Sequence, residues 1–204
     1  MKAFLRRLTA PGMFRKYFFF VLLIPLGYLC QVCMMPYLRI GNVSPNLLYA
    51  NIAIITVVYG RVQALWAGLI YGFLMEIMLP GIPFVNLAVY PISSLFVSFV
   101  FADKTLRRLQ MDRAMRRRTR EIPPLVRTVL CAMVNVFVYE VINVAYIYLQ
   151  GTDLTVTHFR RALQDILLTG VLTLGLAILI RPLILGRKKP EPVLKNQPIV
   201  FSKK

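Results

Sequence analysis

Acidic residues are scarce in this chain: eight Asp and Glu stand against 25 Lys and Arg over 204 positions. Histidine occurs once, as His158, and cysteine three times, as Cys30, Cys33 and Cys131. So small a stock of proton- and metal-handling groups removes most catalytic chemistries. His158 has no ligand at metal spacing. No glycine-rich phosphate loop precedes a basic helix, and no Gly-x-Ser-x-Gly elbow occurs. The cysteines lie inside apolar runs, which argues against the disulfide framework of a small exported domain. Cys30-Gln-Val-Cys33 has redox spacing but no second ligand pair, and its flanks are those of an apolar helix, so it reads as packing. The expectation is a chain that is not an enzyme and needs neither cofactor nor metal.

Charged residues of both signs are few, 16%, while 58% of the chain is hydrophobic, a balance too apolar for an ordinary soluble domain. The apolar residues come in runs divided by basic segments and do not alternate in ten-residue pieces, which selects membrane helices over a barrel. Six spans are predicted, over 17–38, 45–60, 62–79, 81–102, 125–149 and 163–180. The first follows Lys2, Arg6, Arg7, Arg15 and Lys16 as a signal peptide would, but without a small-x-small cleavage site it is expected to be a retained anchor. Pro80 and Pro83 close the third run and open the fourth. Only Gly60-Arg61 divides the second from the third. At about 24 Å of helical rise the second is shorter than the roughly 30 Å hydrocarbon core, so its neighbours are expected to shelter it.

The net charge of +17 would suggest nucleic acid if it lay on a soluble face, but the basic residues sit between apolar runs. Five lie in the basic N-terminal segment 1–16, one is Arg61, nine fall in and just after the loop 103–124, and seven lie in the tail 181–204. These 22 face one side of six spans, against Arg39, Arg160 and Arg161 on the other. The positive-inside rule then sets both termini and the middle loop in the cytoplasm. That loop carries Arg107, Arg108, Arg113, Arg116, Arg117, Arg118 and Arg120. Its expected partner is anionic lipid, at roughly 1 kcal/mol per basic residue near the surface, with protein docking as the alternative.

Ionisable groups inside such a bundle need a partner or a purpose. In the third run Ala64, Gly68, Gly72 and Glu76 follow at steps of four, one ridge on which another backbone can approach closely. In the fifth, Asn135, Tyr139, Glu140, Asn143 and Tyr146 share one arc, with Val134, Phe137, Val138, Val141, Ala145 and Leu149 opposite. The sixth contributes Asp165, Thr169 and Thr173 on one ridge. Interhelical hydrogen bonding explains these groups. An outward-opening ligand cavity using Glu76 and Glu140, or a face for another membrane helix, are the alternatives.

The stretch Gln31-Val-Cys-Met-Met-Pro36, then Ser44-Pro-Asn-Leu-Leu48, Gly60, Ala67-Gly-Leu-Ile-Tyr-Gly-Phe-Leu74 and Glu76 resembles MreD, the rod shape-determining membrane protein family. The resemblance covers about residues 31 to 95 and extends to length, helix count and basic tail. The chain departs from the family pattern in having Asn46 and Glu76 where Asp is usual. The resemblance implies a noncatalytic part of the cell-wall elongation machinery. Its partners would be the bitopic protein MreC and, through it, MreB filaments and peptidoglycan synthases. It also implies an all-α fold similar to the substrate-binding components of energy-coupling-factor vitamin transporters, and such a transport subunit is the alternative function.

The six-span count is testable at its narrowest point. With the natural cysteines replaced, Arg61→Cys should resist a membrane-impermeant thiol reagent added from outside intact cells and react once the membrane is opened. Labelling from outside would leave an odd number of spans before it.

Overall fold

The computed structural model of the chain describes residues 11–40, 43–78, 84–102, 122–151 and 155–185. The arginines of the predicted basic loop, Arg107 to Arg120, and the tail beyond residue 185 lie outside them. Among the described residues the chain is all-α. Its helices are α1 (Pro11–Cys33), α2 (Leu47–Tyr59), α3 (Arg61–Met78), α4 (Val85–Phe101), α5 (Pro124–Leu149) and α6 (Val156–Leu185). One 3-10 turn, Met35–Leu38, follows α1, and a single bridge pairs Ile40 with Val43. Two helical stretches, Pro124–Leu149 and Val156–Arg181, are long and apolar enough to cross a membrane by length and composition. Tyr17–Cys33, Leu47–Tyr59 and Val85–Phe101 are shorter apolar helices.

Three helices have bounds that differ from the sequence expectation for physical reasons. The first helix begins at Pro11, where the missing N–H costs nothing, and stops at Cys33 instead of running to residue 38. Pro36 then allows only a short 3-10 turn. The fourth begins at Val85, not at 81, after Phe84 in the left-handed region at φ 67°. The sixth begins at Val156, seven residues earlier than expected. There Thr155 and His158 cap its first turn: Thr155 N donates to His158 Nδ1 at 3.3 Å, and the Thr155 hydroxyl lies 2.8 Å from the same nitrogen. The bond from Thr155 N is the return half of a capping box, with imidazole in the place of a carboxylate.

The centre of the bundle is α2. Eleven consecutive residues, Leu47 to Val57, are buried, and the helix packs against each of the other five. A helix with apolar residues on every side has no solvent face to offer, so its neighbours must surround it. Asn46 caps its start by accepting from Tyr49 N at 3.4 Å. Gly60 ends it at φ 102°, a conformation that costs glycine little, and Arg61 opens α3 at once. Leu48, Tyr49, Ile52 and Ile55 of α2 meet Leu23 of α1, Ala67 and Tyr71 of α3, Tyr90 of α4 and Val136 of α5 in one cluster.

The small-residue ridge of α3 lies against α4. A Cβ added at Gly72 would stand 2.7 Å from the Asn86 carbonyl oxygen and 3.2 Å from Leu87 Cα, both parts of the α4 backbone. At Gly68 it would stand 2.9 Å from the Tyr90 carbonyl oxygen. Ala64 is fully buried on the same ridge.

Gly72→Ala should therefore force α3 and α4 apart and lower stability by about 1–3 kcal/mol, the range for overpacking a close contact. Thermal unfolding in detergent measures this. Gly175→Ala, where nothing lies within 4 Å, is the control expected to leave the midpoint unchanged or slightly raised.

Candidate functional site

One group of polar residues lies at the end of the bundle where α2 begins, α5 ends and α6 begins. Asn46 is tied to three neighbours. Its backbone N–H donates to Thr169 Oγ1 at 2.9 Å, its Nδ2 approaches the Tyr90 hydroxyl at 3.5 Å, and its Oδ1 caps α2. Thr169 Oγ1 in turn donates to Asp165 Oδ1 at 3.1 Å, and the Thr173 hydroxyl donates to the Thr169 carbonyl at 2.6 Å. The Gln31 side chain, at the end of α1, accepts from Leu47 N at 2.7 Å. Gln31 and Asn46 thus both hold the entry of α2.

Beside this tie stand three tyrosines. Tyr49 and Tyr90 stack with ring centroids 4.6 Å apart and an interplanar angle of 1°, and Tyr139 tilts against both at 5.5 and 6.1 Å. Offset and tilted contacts of this kind add to the gain from burial. They lock α2, α4 and α5 together at one level.

The predicted polar face of α5 divides in two. Asn135 turns inward, fully buried, with its Nδ2 donating to the Cys131 carbonyl of its own helix at 3.0 Å. Tyr139 joins the aromatic cluster. Glu140 instead lines the contact with α6, with Asp165 and Arg161 of that helix nearby, while Asn143 is exposed. Val134, Phe137, Val141, Ala145 and Leu149, expected opposite, are exposed.

Sequence reasoning considered Glu140 with Glu76; the fold sets Glu140 beside Asp165. The signal was available in the chain. Glu140 lies nine residues before the end of α5 and Asp165 nine after the start of α6, so an antiparallel hairpin brings them to one depth. Starting the last helix at residue 163 hid this equality. Glu76 has other partners: its Oε1 accepts from Phe84 N at 2.6 Å and its Oε2 from Asn86 N at 3.2 Å. A carboxylate at the first turn of α4 satisfies orphan N–H groups, opposes the positive end of the helix dipole and holds Phe84 in its strained conformation.

Two depressions lie on the outer seam between α5 and α6. The larger, about 580 Å³, is lined by residues including Phe137, Glu140, Val141 and Tyr148 of α5 and Phe159 and Leu163 of α6. The smaller, about 320 Å³, includes Val126, Leu130 and Met133 of α5 and Leu167, Val171 and Leu174 of α6. Glu140 is the one charged residue in either lining. The described residues hold no group of three or more His, Cys, Asp or Glu placed to bind a metal ion. His158 is a helix cap, and the three cysteines are free.

No protein-family model, no curated protein and no solved structure is matched by the chain.

Thr169 links the entry of α2 to the acid on α6 through one hydroxyl. Thr169→Val keeps the shape but leaves a buried N–H and a carboxylate each short of a partner, and should cost about 1–3 kcal/mol in detergent unfolding. Thr169→Ser should retain most of the wild-type stability. Equal loss in both variants would show that the methyl group, not the hydroxyl, matters here.

Proposed function

We propose that the chain is a noncatalytic scaffold of the bacterial cell-wall elongation machinery. It is held in the inner (cytoplasmic) membrane by six spans, with both termini in the cytoplasm. In this role it maintains rod shape by binding an MreC-like bitopic protein and, through it, MreB filaments and the peptidoglycan synthases. The observation that carries this assignment is the use made of the interior polar groups. Gln31 and Asn46 hold the start of α2, Glu76 holds the start of α4, and Thr169 joins α2 to α6. Each fastens one helix to another, as a rigid mount for partners requires. The MreD resemblance over residues 31–95 spans three of these residues, with Asn46 and Glu76 standing where the family usually has Asp, and it implies the partners named.

Further support comes from the charge distribution, 22 basic residues against three, which favours the two-sided arrangement with a basic cytoplasmic face. That face would meet anionic lipid as well as cytoplasmic components. A substrate-binding transport subunit would need Glu76 and Glu140 free for a ligand. Both oxygens of Glu76 already accept backbone N–H groups.

Depleting the protein from a rod-shaped host should abolish width control and round the cells within a few generations, with new wall material no longer confined to the cylinder. The MreC-like protein should copurify with the tagged chain. Cells that kept their width and pattern of wall synthesis would remove the scaffold assignment.

A further inference from the structure

The two depressions on the α5–α6 seam run end to end. Met133 and Phe137 are one turn apart on α5, as are Leu167 and Leu163 on α6, and each pair bridges the two linings. On α5 the lining residues Val126, Leu130, Met133, Phe137, Glu140 and Val144 follow at steps of four and three. That is the spacing a second helix meets when it packs lengthwise with a slight left-handed twist. From Val126 to Tyr148 the seam rises about 33 Å, close to the roughly 30 Å thickness of a hydrocarbon core. The opposite face of α5, with Thr128, Cys131, Ala132, Asn135 and Val136, is buried in the bundle, so the seam looks outward.

Lipid tails could wet such a groove, but they offer nothing to a carboxyl group. Glu140 and Asp165 together present up to four acceptor oxygens. The Thr169 hydroxyl donates to Asp165 at 3.1 Å, and the Asn143 amide and the Arg161 guanidinium stand near Glu140. A second copy of the chain docked on the same seam would bring its own Glu140 towards this one, and the cation nearest the acids, Arg161, lies outside both linings. Charge complementarity therefore favours a different protein. We propose that the outer α5–α6 groove receives a single transmembrane helix of a second protein, with a cationic side chain of that helix set against Glu140. This rests on the scaffold assignment above and adds the surface and the recognition chemistry.

The test uses the full chain co-expressed with the bitopic partner proposed above. A photoreactive benzophenone amino acid is placed at Val141 or Leu163 in the groove, or at Val21 on the exposed face of α1. Irradiated membranes should give an adduct from the two groove positions that maps to the partner's membrane segment, and none from Val21. Glu140→Gln and, independently, Ala145→Trp, which fills the groove without touching the acid, should each lower recovery of the partner in detergent by about three- to tenfold, the range for losing a modest membrane interaction. Both variants should remain monodisperse.

If the wild-type chain recovers the partner but both variants recover it equally well, or the adduct forms from Val21 instead, the groove is the wrong surface and the scaffold assignment stands. If the wild-type chain recovers no partner, both fall. An adduct between two copies of the chain, or with lipid alone, overturns the groove proposal.

Discussion

Burying a thirteen-residue helix on every side imposes a condition that most of its polar groups meet, the buried Tyr49 hydroxyl being an exception. Around α2 no polar group can turn to water, so each must find a partner inside the protein. The Thr56 hydroxyl donates to the Ile52 carbonyl at 2.7 Å, and the Tyr71 hydroxyl, from α3, donates to the Leu23 carbonyl of α1 at 3.2 Å. The ends of α2 are the harder problem, because a helix start leaves N–H groups unpaired. Asn46 and Gln31 take them at one end, and the turn at Gly60 closes the other. α1 and α6 supply partners at the start of α2, through Gln31 and Thr169.

The same condition explains where the bundle tolerates acids. Glu76 is acceptable because it faces two backbone N–H groups at the first turn of α4, and Asp165 because it accepts from Thr169. Glu140 differs, since it sits at the edge of the α5–α6 contact and lines an outward groove. A residue that the interior only partly satisfies is where an external partner gains most from binding. The structural ties and the proposed docking groove are therefore adjacent, and a partner seated on the seam would also reinforce the α5–α6 hairpin.

Much of the helix pattern was legible from the apolar runs, because 3.6-residue periodicity and run length depend on local sequence alone. Even the one-residue junction at Gly60 could be located, since glycine at a run boundary marks a positive-φ cap. The boundaries at Cys33, Val85 and Val156 were less legible. There the deciding interactions were a proline-limited turn, a carboxylate reaching across from α3, and a threonine–histidine cap of low sequence specificity. The ridge Ala64, Gly68, Gly72 and Glu76 could be recognised as a close-approach surface from its spacing, but nothing in that spacing named α4 as the helix it meets. The arc of α5 was likewise visible as polar. Its division, with Asn135 and Tyr139 inward, Glu140 towards α6 and Asn143 exposed, depends on the positions of two neighbouring helices.

By itself the sequence determined an all-helical chain, rich in apolar runs and sharply asymmetric in basic charge, because composition and periodicity need no knowledge of what packs against what. Tertiary structure decided that α2 is the hub, that Glu76 caps α4, and that Glu140 lies beside Asp165. Those outcomes depend on which helices become neighbours and at what depth their residues meet. Contacts between residues tens of positions apart follow from three-dimensional packing, on which local periodicity is silent.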